Sequence, residues 1–335
     1  MSDNENVKRY SRGYNTNHLP TWLQERLKGE EQSKPLWNII EAVLTIGSVP
    51  ASAATSILLT VSVWEKTSSP MVTITVAVIA YVVVAVFIAR QQRGLELMVH
   101  DASHMAWFRA QPKLNNFLAN LLVAYPVLSS VEAYWKSHRI HHGQFGSHID
   151  PCRQRFDKMG LATVDLSTKW KIAKAVLKWL PEYNRAYYEE IGSLSLLIWV
   201  HFFAWHCAIF MIPTYFLLWG AIGMDFFQAS TTSVFLWFAF WMIPTTLPLP
   251  VLRSIAESEE HDYSKGETEF ETTFTNSGFW QRFLFHPKND AYHLVHHMFP
   301  NIPERRHSKI HHLLIKHDAK YRNSLHRSSI LSSAI

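Results

Sequence analysis

Residues 71–89 read MVTITVAVIAYVVVAVFIA, a run without a single charged side chain. Its β-branched residues would suit a strand in water. In a bilayer, an isolated strand leaves its backbone groups unpaired, whereas a helix pairs them internally. About 20 apolar residues carry a helix across the hydrocarbon core, so the run reads as a membrane-spanning helix. Three more segments are long enough: 37–63, interrupted by Glu41 and Pro50, then 194–219 and 226–252. The connections WEKTSSP (64–70) and GAIGMD (220–225) are short and join the segments in two hairpins. The expected fold is an all-α integral membrane protein with four transmembrane helices in two hairpins and a helical cap.

The charges orient this arrangement. The 335 residues include 32 Lys and Arg against 27 Asp and Glu, a net charge of +5, with a pI near 9.1. Of those cations 6 lie in 1–36, 14 in 90–190 and 11 in 251–335; Lys66 alone falls within the spans and hairpin loops. Lys and Arg collect on the cytoplasmic side of membrane proteins. Both termini and the cap are therefore expected there, at a bacterial inner membrane or the endoplasmic reticulum, and the basic pI calls for no nucleic acid. We expect a cytoplasmic N-terminal segment, 1–36, and a single membrane domain, 37–335, whose cap comprises 90–193 and 253–335.

Within the cap, LSTKWKIAKAVLKWLP (166–181) spaces Leu166, Trp170, Ala173, Leu177 and Leu180 by three and four, with four lysines elsewhere around the helix. That pattern fits a basic amphipathic helix at the membrane surface, and equally an ordinary domain helix. The stretch 116–128, NFLANLLVAYPVL, is too short to span and reads as interfacial or re-entrant. The only cysteines, Cys152 and Cys207, lie far apart in the chain and suggest neither a disulfide framework nor a thiolate metal site.

Histidine is the compositional oddity, at 19 residues. Three clusters fall on the cap side of the spans: HDASH (His100, His104), HRIHH (His138, His141, His142) and HLVHH (His293, His296, His297). Helical residues three and four apart share a face, so each cluster can point several imidazoles at one place. Neutral imidazole suits iron, zinc, copper or nickel. Eight such ligands exceed one tetrahedral zinc and, without thiolates, suggest two metals.

HDASH, HRIHH and HLVHH, separated by paired spans, resemble the three histidine boxes of the membrane-bound fatty acid desaturase and hydroxylase family. YHLVHHMFPNIP is similar to that family's third box with its trailing phenylalanine and proline. The resemblance implies a cytoplasmic cap carrying a non-haem di-iron site, with two Fe ions, O2 as co-substrate and two externally supplied electrons. By that resemblance all eight box histidines become iron ligands, and His261, in RSIAESEEHDY (253–263), becomes a ninth. Glu257 would share a helical face with His261, and Glu260 precedes it; each reads as an extra ligand, as a carboxylate orienting an imidazole, or as part of a solvated acidic turn. Asn289 lies four residues before His293 and could hydrogen-bond to a ligand or a metal-bound water.

The implied activity is O2-dependent desaturation of an acyl chain or lipid-like substrate. Open alternatives are hydroxylation or ketolation of an alkane, sphingolipid or carotenoid, desaturation of a specialised small metabolite, and, from another class, a zinc-binding membrane transporter or receptor. No fused donor is legible, so electrons should come from a separate ferredoxin-like or b-type cytochrome partner, docked on a basic face that includes Arg153, Arg155, Lys158 and Arg305. Trp107, Phe108, Tyr134 and Trp135 are candidate lining residues. His201 and His206 read as hydrogen-bonding residues inside the bundle, His148 as a loop or supporting residue, and His307, His311, His312 and His317 as basic surface.

Overall fold

The computed structural model describes residues 12–165, 168–192 and 194–330. Among them four helices are long and apolar enough to cross a membrane: Pro35–Thr67, Pro70–Ser103, Leu196–Ala221 and Phe226–Glu260. Only 17–28% of the most apolar window of each is buried within the chain. Lipid must therefore cover the rest, and the protein is an all-α membrane protein.

The first two spans begin with proline at the first helical turn, where its missing N–H costs nothing. Ser68, in a left-handed conformation (φ 49°), ends the first helix, and Pro70 opens the second two residues on. Pro50 stays inside the first span. Glu41, the other interruption, has a partner: its carboxylate lies 2.9 Å from Lys288 Nζ of the cap. In the third and fourth spans, π-helical turns at Cys207–Met211 and Phe238–Met242 come just before Pro213 and Pro244. Proline removes one ladder donor, and a wider turn redistributes the carbonyls it strands.

Two helices run on well past the expected spans. The second continues from residue 89 to Ser103 and carries His100 into the cap, and the fourth continues from 252 to Glu260. Their extensions bury the polar residues Gln92, Arg93, Arg253 and Glu260 against protein. That burial explains why hydropathy underestimates their length. Pro112–Val127 and Val131–Gly143 form a pair bent by 87° and together apolar enough for a broken span or re-entrant loop. The bend sits at Leu128, which is left-handed (φ 55°). Ser130 then caps the second arm by accepting from the backbone N–H of Ala133.

One core joins the spans to this bent pair, through Val49, Ile88, Leu95, Val99, Val123 and Trp241. A second lies in the cap, where Leu19, Leu23 and Leu27 pack with Leu294, Val295, Ile310 and Leu314. The segment from residue 12 is thus built into the cap; residues 1–11 lie outside the described part. The helix Lys169–Gly192 buries Ala175, Val176 and Trp179 against Leu249, Leu252 and Phe285. Its buried side is offset from the expected stripe. Trp170 and Leu177 point outward, and Leu166 lies outside the described residues.

Candidate metal centre

Nine histidines meet beneath the cap, in two nests. The donor atoms of His100, His104, His138, His142 and His296 all lie within 4.8 Å of one another, and so do those of His141, His261, His293 and His297. These are the nine histidines expected from the sequence, and the structure brings all of them together.

Helix geometry explains the division. Residues four apart on a helix differ by only about 40° around the axis, while adjacent residues differ by about 100°. The i, i+4 pairs stay together: His138 with His142, His293 with His297, and His100 with His104. The third member of each HxxHH box, His141 or His296, crosses to the other nest. His261 enters differently. The fourth-span helix ends at Glu260, and His261 is extended (φ −136°, ψ 146°), bridged to Thr273. Glu257 therefore does not share a helical face with it. Instead Glu257 accepts from Tyr183 Oη at 2.9 Å and pairs with Arg155 Nε at 3.0 Å. Glu260 does face the centre, with Oε2 3.8 Å from His293 Nε2.

The inward atoms are the Nε2 nitrogens. His138 Nε2 lies 2.9 Å from that of His104 and 3.0 Å from that of His142. The His142 and His296 atoms are 3.0 Å apart, as are those of His296 and His100. In the other nest His297 Nε2 is 3.3 Å from both His141 and His293, and His293 Nε2 is 3.2 Å from His261. A ring nitrogen has one in-plane site, to donate or to accept once. Several of these atoms have two such neighbours, so hydrogen bonds cannot satisfy the nests. A cation can: ligands bonded at about 2.1 Å and set at right angles stand about 3.0 Å apart. The residues present fit a metal in each nest.

The outward nitrogens set the tautomer in the four-histidine nest. His141 Nδ1 donates to Asp150 Oδ1 at 2.9 Å, since a carboxylate only accepts. His297 Nδ1 is 3.3 Å from Glu269 Oε2, and His261 Nδ1 is 3.1 Å from Thr273 Oγ1. Asp290 Oδ1 faces His293 Nδ1 at 3.6 Å. The first three partners hold their imidazoles with the Nε2 lone pair aimed inward, whereas Asp290 lies beyond hydrogen-bond reach of His293. Burial, reinforced by their crowding, holds His138, His142, His296 and His297 well below the ordinary imidazole value, in the neutral form that ligates. At His141 burial pulls the same way, yet Cys152 and Asp150 outweigh it and hold its imidazolium well above the ordinary value, so a metal on Nε2 would have to displace a proton there.

Asp150, Glu269, Thr273 and Asp290 were not singled out in the sequence. Asp150-Pro151 carries a readable signal, but for another job: it is a helix N-cap followed by proline, and Asp150 does accept from Cys152 N. Asn289, expected to hydrogen-bond a ligand or a metal-bound water, is half-buried and left-handed (φ 72°), as is Lys288 before it (φ 63°). This double kink presents Asp290 to the imidazoles and sends Lys288 Nζ to Thr45 Oγ1, 2.9 Å away on the first span. Asp290 also lies 2.8 Å from His286 Nδ1 and 3.6 Å from the buried Arg93.

Of the remaining expectations, Tyr134 and Trp135 flank the five-histidine nest, with ring centroids 5.2 Å from His138 and 5.5 Å from His104. Trp107 is instead fully buried in the bundle core, and Phe108 packs beside it. His307 and His311 are not surface residues. His307 is buried 6.0 Å from the His296 ring with Nε2 on Ile302 O, and His311 bonds Tyr321 Oη at 2.9 Å. The apolar face of their helix turns them inward, whereas His312 and His317 are exposed. His206 reaches Pro126 O at 3.2 Å inside the bundle, His201 bonds Leu197 O on its own helix, and His148 is exposed in a loop. Arg153 and Arg155 are engaged in ion pairs with Asp157 and Glu257, and Lys158 is exposed.

A sequence profile of the fatty acid desaturase family matches residues 73–329. The dihydrorhizobitoxine desaturase of Bradyrhizobium elkanii is 26% identical over 241 residues, which cover 67% of this chain and 64% of that protein. The chain thus spans less than two thirds of that relative's length.

Proposed function

Because the chain belongs to the fatty acid desaturase family, we propose that it is an O2-dependent di-iron desaturase introducing a C=C bond into an acyl chain or lipid-like substrate. Family membership makes it a membrane oxidoreductase of desaturase type. The observation that carries the finer reading is the convergence of nine Nε2 atoms into nests of five and four. Five nitrogen donors in one nest are more than a tetrahedral zinc takes up. His100, His104, His138, His142 and His296 would hold one iron, and His141, His261, His293 and His297 the other.

Bound iron supplies what acid–base side chains lack, a centre that reduces O2 and attacks an unactivated C–H bond. In balance, a CH2–CH2 unit loses two hydrogens, O2 takes up these with two electrons and two protons, and an alkene and two waters result. The electrons come from a separate ferredoxin-like or b-type cytochrome donor. The chain's part is placement and exclusion. Asp150, Glu269 and Thr273 fix three rings, burial keeps bulk water from the four-histidine nest, and Tyr134 and Trp135 wall one side of the other. The distribution of Lys and Arg supports a cytoplasmic site and termini.

A second reading, desaturation of a specialised small metabolite, is favoured by the name of the Bradyrhizobium relative. Lipid and metabolite profiling of cells with and without the protein should reveal a new alkene and name the substrate. Purified protein should hold two irons per chain. A single tightly held zinc would overturn the di-iron assignment, and a new alcohol in place of an alkene would overturn desaturation.

A further inference from the structure

One short segment braces two of the four histidines in the smaller nest. Thr268–Thr273 carries Glu269, which faces His297 Nδ1 at 3.3 Å, and Thr273, which faces His261 Nδ1 at 3.1 Å. Its own structure is slight: a single helical turn, Glu269–Thr272, held by a capping box between Thr268 and Glu271. A turn this short has little stability of its own. Something outside it must hold it in place.

The stretch Arg12–Tyr14 does so from the far end of the sequence. Arg12 O accepts from Phe270 N at 3.0 Å. Gly13 is left-handed (φ 67°) and lies so close that a Cβ there would come within 2.3 Å of Thr268 Oγ1. Tyr14 stacks on Phe270, with ring centroids 5.3 Å apart and planes 17° apart, and donates its hydroxyl proton to Asp318 at 2.6 Å. Lys320 closes the set, bonding Gly13 O at 2.7 Å and lying over the Tyr14 and Phe270 rings.

We propose that Arg12–Tyr14 is a latch that holds Thr268–Thr273 against the four-histidine nest and so governs metal retention in that nest alone. The proposal rests on the reading that His141, His261, His293 and His297 hold a metal. Tyr14 and Gly13 touch no imidazole of the nest; they are positioning residues acting through Glu269 and Thr273. Loss of an outer partner typically costs a ligand set 10–100-fold in metal affinity. A loosened latch should fall at the lower end of that range.

The test is chelator challenge of the full-length, iron-loaded protein in detergent, following removal of each iron equivalent with an excess of a ferrous chelator. In Tyr14→Ala one equivalent should leave about tenfold faster than in the wild type, with the other unchanged. Gly13→Val should act in the same direction. Tyr14→Phe keeps the stacking and loses only the Asp318 bond, so it should show a smaller acceleration of the same equivalent. If Tyr14→Ala does not fold, the Tyr14→Phe and Gly13→Val rates decide. Equal acceleration of both equivalents would show general loosening and overturn the latch, as would unchanged rates in every variant. Wild-type protein that binds fewer than two irons would instead remove the underlying di-iron reading.

Discussion

The two nests are built from the same side chain and braced in opposite ways. In the four-histidine nest every member is buried, and each outward nitrogen faces a carboxylate or hydroxyl: Asp150, Thr273, Asp290 or Glu269. In the five-histidine nest His104 and His142 are only half-buried, and the rings lean on one another and on Tyr134 and Trp135. The first nest is a cage backed by polar groups and flanked by Phe145, whereas the second is an aromatic stack, its rings packed mostly edge to face, with an open edge. Asp290 serves both, since its carboxylate lies within 4.8 Å of donor atoms of His100 as well as His293. The contrast suggests a division of labour, with a tightly held metal in the cage and a more accessible one in the stack.

The comparison can be broken most directly at a ligand. His142→Ala and His297→Ala should each abolish turnover and each lower metal content by one equivalent, from different nests. Metal analysis with spectroscopy of the remaining ion checks this, and a full complement in either variant would undo the division.

Arg93 comes next. It is buried and lies 3.4 Å from Glu260 and 3.6 Å from Asp290, the two carboxylates beside His293. Removing one partner of a buried charge cluster costs about 3–5 kcal/mol, because the others stay buried and uncompensated. Arg93→Met should therefore lower the thermal denaturation temperature sharply, and an unchanged transition would show that Arg93 is not needed there.

Outer-shell variants sharpen the contrast further. Asp150→Ala should weaken metal binding about 10–100-fold in the cage, and Trp135→Phe should leave the affinity of the stack unchanged. Equal losses in competition titrations would make the two nests equivalent.

The smallest effect is on pH. Burial pulls the His286 pKa down, but its bonds to Asp290 and Glu259 outweigh this and push it up to about 9. A folded value above the unfolded one, about 6.5, stabilises the protein fully below pH 6.5 and fades as pH rises through 9. The denaturation temperature of the wild type should fall across that window, and His286→Gln should flatten the fall.

Much of this molecule was legible before folding was considered. Apolar runs near bilayer length identified the spans, and HxxxH and HxxHH spacing brought eight of the nine nest histidines to notice, His261 coming from the family resemblance alone. Both signals are local: a helix repeats every 3.6 residues, so neighbours on one face can be read from spacing alone. The misreadings had local causes too. The helix that carries Glu257 ends at Glu260, one residue short of His261, so the i, i+4 spacing does not give them a common face, and an apolar stripe turns His307 and His311 of HSKIHH inward.

By itself the sequence determined that this is a four-span helical membrane protein with imidazole-rich clusters at the span ends. Only the tertiary structure decided how those clusters divide into five and four. It also decided that Asp150, Glu269, Thr273 and Asp290 stand behind the cage, and that residues 12–14 press on the segment carrying two of them. The reason is physical. Periodicity reports which residues share a face of one helix, whereas a nest is made by faces of several elements far apart in the chain, and their meeting depends on packing that no local spacing encodes.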